Sequence, residues 1–193
     1  MSNQLHVVIA STRPGRAGRA VGDWFIEQAR SDGRFDVGVT DLVELALPFF
    51  DEPHHPRMRT YVHEHTRTWS AAVDFADAFV FVMPEYNHGY PASIKNAVDY
   101  LYEEWADKPV GFVSYGGMAG GTRAVQSLKP VLTYLRMRPV VNEVTCVGFS
   151  QFLNDGVFEP GEPAAVASKL LLDELDEAAS SLAEQRGLKQ DRA

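Results

Sequence analysis

A chain of 193 residues that is 45% hydrophobic can enclose a substantial core as one domain, residues 1–193, and no composition shift or low-complexity run divides it. Its net charge of −8, spread along the chain, speaks against a nucleic-acid groove or an anionic membrane surface as the main partner. The single cysteine, Cys146, excludes an internal disulfide, and with no signal-like N-terminus or bilayer-length apolar stretch a cytoplasmic protein without a membrane partner is expected.

Leu5 to Ala10, LHVVIA, predicts a buried first strand, and Ser11 to Gly18, STRPGRAG, a polar, breaker-rich loop. A helix follows from about Gly18 or Arg19, with Val21, Trp24, Phe25 and Ala29 at helical spacing on its buried face. The loop therefore sits where a helix presents unpaired N–H groups and the positive end of its dipole. Ser11 and Thr12 add hydroxyls, and Arg13 and Arg16 add forked positive charge, which suits a phosphate. A surface turn with two solvated arginines accounts for the same residues equally well. Neither GxxxxGK[ST] nor GxGxxG is present, so nucleotide triphosphates and dinucleotides are not indicated.

Phe35 to Leu42 alternates apolar and polar residues and predicts a second strand nearer an edge. The stretch from Pro48 to Arg59 holds Pro48, Pro53 and Pro56 and must be loop, able to overhang a neighbouring ligand or subunit. Asp51, Glu52, His54 and His55 lie in it, with His63, Glu64 and His65 beyond. Histidines two apart on a predicted helix from Arg59 to Phe75 fall on different faces, so no metal-ligand spacing emerges and no metal is expected. That helix should bury Val62, Trp69 and Val73.

Ala78 to Met83 is an uninterrupted apolar run, as in a central strand covered on both faces, and it hands over to PEYNHGYPASIKNAVD, Pro84 to Asp99. A helix can start at Pro91 and bury Ile94, Ala97, Val98 and Leu101. Val110 to Tyr115, VGFVSY, predicts a fourth strand, broken by Gly116, Gly117, Gly120 and Gly121, which let backbone approach a flat ligand. Beyond it come a helix from Thr122 to Arg136 and a fifth strand between Pro139 and Phe149. A last helix from Pro163 to about Arg186 should bury Val166, Leu171, Leu175, Ala178 and Leu182, ahead of a charged tail at 187–193 expected to fray. Strands alternating with helices predict a five-stranded parallel sheet with helices on both faces, most commonly in the order 2-1-3-4-5. That order places the Ser11–Gly18 and Pro84–Tyr90 loops side by side at the switch point, with Ser114–Gly117 next to them.

STRPGR after the first strand, PEYNHGYPASIKNAVD after the third and SYGGMAGG after the fourth together resemble the NADPH-dependent FMN reductase family over nearly the whole chain. The resemblance implies a flavodoxin-like three-layer fold, FMN as cofactor, NADPH or NADH as electron donor, and a quinone, free flavin or azo compound as small-molecule acceptor. It implies that Ser11, Arg13, Arg16, Ala17 and Gly18 bind the FMN phosphate, and that Pro84, Glu85, Tyr86 and Asn87 lie along the isoalloxazine ring. Ser114, Tyr115, Gly116 and Gly117 would approach the ring's pyrimidine end, and Lys95 and Asn96 would support the loop. The family often has Gly-Ser where Ala10-Ser11 stands, a further hydroxyl and asparagine where Ala17-Gly18 stands, and tryptophan at Tyr100, which shifts phosphate binding toward arginines and backbone.

In such a family hydride passes by way of flavin N5 in ping-pong order, a step needing orientation more than proton transfer, so no catalytic side chain is nominated. Glu85 and His88, which look like acid–base groups, are read as loop-fixing or entrance residues. A homodimer or homotetramer is expected, because the family commonly closes its shallow flavin face with a neighbouring subunit. The rival readings are a non-enzymatic flavodoxin-like electron carrier and a flavin-binding regulatory module.

Overall fold

The computed structural model describes residues 2–190, with side chains to 183. Its central sheet is parallel, and its order starts as the sequence predicts. β2 (Phe35–Asp41), β1 (Asn3–Ile9), β3 (Ala78–Pro84) and β4 (Pro109–Gly116) run side by side. All seven residues of β3 are buried, as an apolar run in the middle of a doubly covered sheet must be.

The fifth position is split. β5 (Arg138–Pro139) and β6 (Val144–Val147) both pair with β4, Val110 opposite Pro139 and Val113 opposite Val144, so the register slips by two residues between them. The predicted continuous strand from Pro139 to Phe149 fails because Val141 and Asn142 turn their N–H groups to the Glu174 carboxylate, at 2.8 and 2.7 Å, instead of to the sheet. Phe149 lies beyond the strand in a 3-10 turn, Phe149–Phe152, which leads into a small hairpin of β7 (Leu153–Asn154) and β8 (Val157–Phe158).

Helices cover both faces. α1 (Gly18–Asp32) and α6 (Glu162–Gln190) lie on one side, where Phe25, Val21, Leu171 and Leu175 pack on alternate residues of β1, β3 and β4. Gly22 and Gly111 set that spacing, since a Cβ on either would stand 2.6 Å from Ile9 or 2.5 Å from Leu171. On the other side α3 (Glu64–Phe75), α4 (Ala92–Asp99) and α5 (Thr122–Tyr134) enclose an aromatic core of Trp69, Trp105, Phe79, Phe81 and Phe112. A short α2 (Leu42–Leu45), absent from the sequence reading, follows β2 directly, with Asp41 as its N-cap accepting from the Val43 N–H at 3.0 Å.

Helix limits show what local pattern misses. α3 starts at Glu64 rather than Arg59, because the buried Glu52 carboxylate accepts the Val62 and His63 N–H groups at 2.9 and 3.0 Å and fixes the entry to the helix. Val62, expected inside, is thus 47% exposed, and Val166 on α6 is 54% exposed. His63 precedes the helix in extended backbone, so its ring stacks on His65 at 5.1 Å instead of facing away. Both histidines point to Asp51, His65 Nε2 at 3.1 Å from Oδ1 and His63 Nε2 at 3.9 Å from Oδ2. The tail expected to fray from Gly187 continues α6 as far as Gln190, and 191–193 fall outside the described residues.

Candidate flavin site

Three loops leave the carboxyl ends of adjacent strands, where a parallel α/β sheet binds its ligands. Between them lies a cleft of about 200 Å³. Arg13, Arg16 and Ala17 line it from the loop after β1, Pro84, Glu85 and Tyr86 from the loop after β3, and Tyr115, Gly116 and Gly117 from the end of β4. The topology thus gathers most of the residues nominated from sequence. Ser11, Gly18, Asn87 and Ser114 are not among its lining residues; Ser11, Gly18 and Ser114 are buried, and Asn87 is exposed in the loop after β3. A larger hollow of about 450 Å³ lies across the first loop, but its walls, among them Thr12, Leu42, Val43, Phe49 and Ala97, carry no charged side chain. Of these two, only the smaller cleft carries cationic side chains, Arg13 and Arg16.

The loop after β1 is held by an ion pair. Arg16 grips Asp41, at the end of β2, with two hydrogen bonds of 2.9 and 2.6 Å, and its Nη1 donates to Ser11 O at 2.8 Å. The Asp41 side chain is only 1% exposed, so this pair is largely withdrawn from water. Arg16 therefore braces the loop, while Arg13 is exposed and its side chain makes no hydrogen bond or ion pair among the described residues. α1 opens with no side-chain cap and no acidic residue in its first turn, leaving N–H groups free for an anion. Ser11 Oγ is buried without a hydrogen-bond partner. A Cβ on Gly18 would come within 2.0 Å of that oxygen and 2.6 Å of the Tyr115 hydroxyl, so only glycine leaves room for both.

The loop after β3 is shaped by backbone. Tyr86 and Gly89 exchange both their N–H···O bonds, at 2.9 and 3.0 Å, across a two-residue turn in which Asn87 (φ 50°) and His88 (φ 67°) are both left-handed. This is the hairpin turn whose twist suits flanking strands and which asparagine favours. Asn87 and His88 are therefore turn-formers. Glu85 is fastened to α5. Its carboxylate accepts from Arg123 Nη1 at 2.6 Å and from the Arg123 N–H at 3.2 Å. Partial burial pushes the Glu85 carboxyl up, but the Arg123 bonds outweigh it and hold it below the ordinary range. A carboxylate so engaged is a poor proton acceptor.

Two expectations change in detail. Ser114 spends its hydroxyl on Gly120 O at 2.8 Å, fixing the glycine turn. Tyr115, for which the resemblance implied the pyrimidine end of the ring, directs its side chain across the sheet to the α1 side, beside Gly18 and Ser11. Gly116 and Gly117 keep the rim open, with nothing within 4 Å of a Cβ placed on Gly117. Asn96 supports a loop other than its own motif, accepting from the Phe50 N–H at 3.0 Å and donating to Pro48 O at 2.7 Å, while Lys95 pairs with Asp99 within α4. Tyr100 reinforces the same clamp through Asp51 at 2.8 Å.

Phe149, Asp41 and Arg123 went unforeseen. Phe149 packs edge-on against Tyr115 at 5.2 Å and walls the cleft. Its place just past the carboxyl end of β6 was the available signal. Asp41 and Arg123 bear on the cleft through contacts across 25 and 38 residues of sequence, for which no local pattern exists.

An orphaned buried hydroxyl, a cradle a Cβ would fill, an unpaired arginine and an uncapped helix start fit a phosphate-bearing group. The glycine rim beside them fits a flat one. Fold and site together define a flavodoxin-like, flavin-binding protein. Residues 4–151 match the profile of the NADPH-dependent FMN reductase family. An NAD(P)H-dependent FMN reductase of Schizosaccharomyces pombe is 44% identical over 137 residues, covering 70% of this chain and 68% of the relative. A 2-hydroxy-1,4-benzoquinone reductase of a Burkholderia species is 29% identical over 147 residues, 70% of this chain and 73% of the relative. In fold the chain is similar to the flavoenzyme NAD(P)H:(acceptor) oxidoreductase FerB of Paracoccus denitrificans, with a TM-score of 0.69 over 94% of this chain and 98% of that one at 20% identity. The chain belongs to the NADPH-dependent FMN reductase family. It is an FMN-dependent NAD(P)H oxidoreductase with a flavodoxin-like fold.

Proposed function

We propose that this enzyme seats FMN with its phosphate at Ser11–Gly18 and its ring along Pro84–Asn87 and Gly116–Gly117, and passes reducing equivalents from NADPH or NADH to a quinone. Free flavin and azo compounds are further acceptors of the same class. The observation that carries the reading is the buried Ser11 hydroxyl, without a hydrogen-bond partner beside Gly18 and Tyr115, next to a cleft that Arg13, Arg16 and Tyr115 share with the loop after β3. FMN, when bound, supplies the hydride-transfer chemistry. The protein's part is to bind, orient and exclude water. Arg13 meets the phosphate with a charge-assisted bond, Arg16 keeps the loop in shape, and Glu85, tied to Arg123, holds the wall against which the ring rests. No side chain in the cleft is needed as a general base. The relative named as a benzoquinone reductase supports a quinone as acceptor.

The same proposal includes a homodimer or homotetramer. A cleft of about 200 Å³ is small beside the roughly 300 Å³ and more that encloses a cofactor-sized ligand, and Tyr86 and Phe49 stand 38% and 87% exposed nearby, so a second copy closing this face completes the site. The 193 residues are read as one FMN-binding domain, working in a reducing, cytoplasmic setting that suits its lone Cys146. Among the described residues no helix is long and apolar enough to cross a membrane.

The deciding experiment is the absorbance spectrum of the purified protein before and after anaerobic NADPH, followed by steady-state NADPH oxidation with menadione. Flavin bands that bleach, and turnover with the quinone, are expected. An FMN-loaded preparation that does not turn over sinks the quinone reading and leaves an electron carrier. Light scattering at micromolar concentration tests the assembly, and a monomeric mass with full activity counts against it.

A further inference from the structure

We infer that Tyr115 belongs to the phosphate end of the site, where its phenol and the Ser11 hydroxyl form a pair of neutral donors that make the chain select FMN over riboflavin. The inference rests on the FMN seat proposed above and goes beyond it by assigning the residue that discriminates the two flavins.

Geometry carries the assignment. Tyr115 is the seventh residue of β4, and its ring leaves the strand toward the α1 side, packed in the core that holds Val21 and Phe25. It is 3% exposed, yet it still lines the cleft with Arg13, Arg16 and Ala17. Phe149 meets the ring edge-on, 5.2 Å between centroids at 69°, and fixes its orientation. From there the hydroxyl reaches the start of α1. The positions of Ser11 Oγ and Tyr115 Oη, 2.0 and 2.6 Å from an added Gly18 Cβ, put both hydroxyls at the place the missing side chain leaves free. They are neighbours close enough for the Ser11 hydroxyl to act on the phenol as a hydrogen-bond partner, but the contact falls short of a hydrogen bond of good geometry, and Ser11 Oγ has no other partner among the described residues.

A buried hydroxyl without a partner loses its hydration and gains nothing, unless a ligand supplies the acceptor. The electrostatic surroundings say which ligand. The charged side chains that act on the phenol are Arg13 and Arg16, both cationic. Burial pushes the phenol up to about 12, so at neutral pH it holds its proton and donates. Arg16 is committed to Asp41, which leaves Arg13 as the free charge and the two hydroxyls as directional donors. The uncapped N–H groups of α1 complete a site for a tetrahedral dianion. Riboflavin has a hydroxyl where FMN has the phosphate, so a donor that serves only that end separates the two ligands.

The test reads binding, not turnover. Quenching of flavin fluorescence gives Kd for FMN and for riboflavin with wild type, Tyr115→Phe and Tyr86→Phe. Tyr115→Phe should raise the FMN Kd by about tenfold or more, the worth of one hydrogen bond to a charged group, and leave the riboflavin Kd within about twofold. Tyr86→Phe, at the ring end, should treat the two flavins alike. An unchanged FMN Kd in Tyr115→Phe, or equal losses for both flavins, overturns the inference while leaving the FMN seat intact. A wild-type protein that binds neither flavin overturns both. If Tyr115→Phe does not fold, tyrosine 13Cζ NMR in the Tyr86→Phe background replaces it. A tyrosine signal must then shift with FMN beyond its shift with riboflavin, and identical spectra in the two complexes overturn the assignment.

Discussion

The loops after β1 and β3 stand side by side on one cleft but are held in opposite ways. Ser11–Gly18 takes its shape from side chains, through the Arg16–Asp41 pair and the Arg16 bond to Ser11 O. Inside that frame it leaves hydroxyl, guanidinium and N–H donors unspent. Pro84–Tyr90 takes its shape from backbone, through the Tyr86–Gly89 hairpin and the left-handed Asn87 and His88, and its one conspicuous acid is already paired. The first loop keeps the donors that the proposed phosphate seat calls on. The second is a rigid wall. A charged ligand end needs specific donors, while a planar ring needs a surface held still, and the two kinds of scaffolding answer those needs.

The comparison breaks most visibly at Arg16. Arg16→Ala leaves the Asp41 carboxylate buried and unpaired, and the expected cost is about 3–5 kcal/mol of folding stability, toward the lower end because Arg19 Nη1 is 3.8 Å from the same carboxylate. Urea unfolding measures it, and FMN binding should fall with it. Arg13→Ala should do the reverse. Its exposed, unpartnered side chain makes stability insensitive, while FMN binding weakens by about 1.5–3 kcal/mol. Isothermal titration beside a melting curve separates the two effects, and equal behaviour of the two arginines would erase the division between brace and ligand.

In the second loop the effects are smaller. Arg123→Ala removes a partly exposed ion pair and should cost about 1 kcal/mol. Its signature is in the pH dependence. The folded Glu85 carboxyl is held below its ordinary 4.5, so the pair's contribution is fully present above pH 4.5 and is lost as pH falls through the lower folded value. Wild type minus Arg123→Ala should therefore shrink in acid, and a difference that stays constant from pH 6 to 3 counts against the pairing. The smallest change is a gain. His88→Gly relieves a left-handed residue in a turn that favours Asn-Gly and should stabilise by about 0.5 kcal/mol, read as a raised melting temperature with FMN affinity unchanged.

Much of this protein is legible one residue at a time. The run from Ala78 to Met83 can only be a central strand, since six consecutive apolar positions need cover on both faces, and the breaks at Ser11, Pro84 and Gly116 mark strand ends from local chemistry alone. From strands alternating with helices and the right-handed crossover rule follow the sheet order and the meeting of those three loops. The sequence by itself thereby determined the fold, the position of the candidate cleft and most of the residues that line that cleft. Only the tertiary structure decided which polar groups there are free. Arg13 and Arg16 are alike in sequence, and Asp41 alone, brought in by β2, makes one a brace. Glu85 looks like a base until Arg123 is placed against it, and Tyr115 points to the start of α1 because the pleat of β4 puts it there. Pattern and propensity act over a few residues and fix elements. The state of a donor or carboxylate depends on neighbours brought by the fold from tens of residues away, and those distances are set only when the chain has closed on itself.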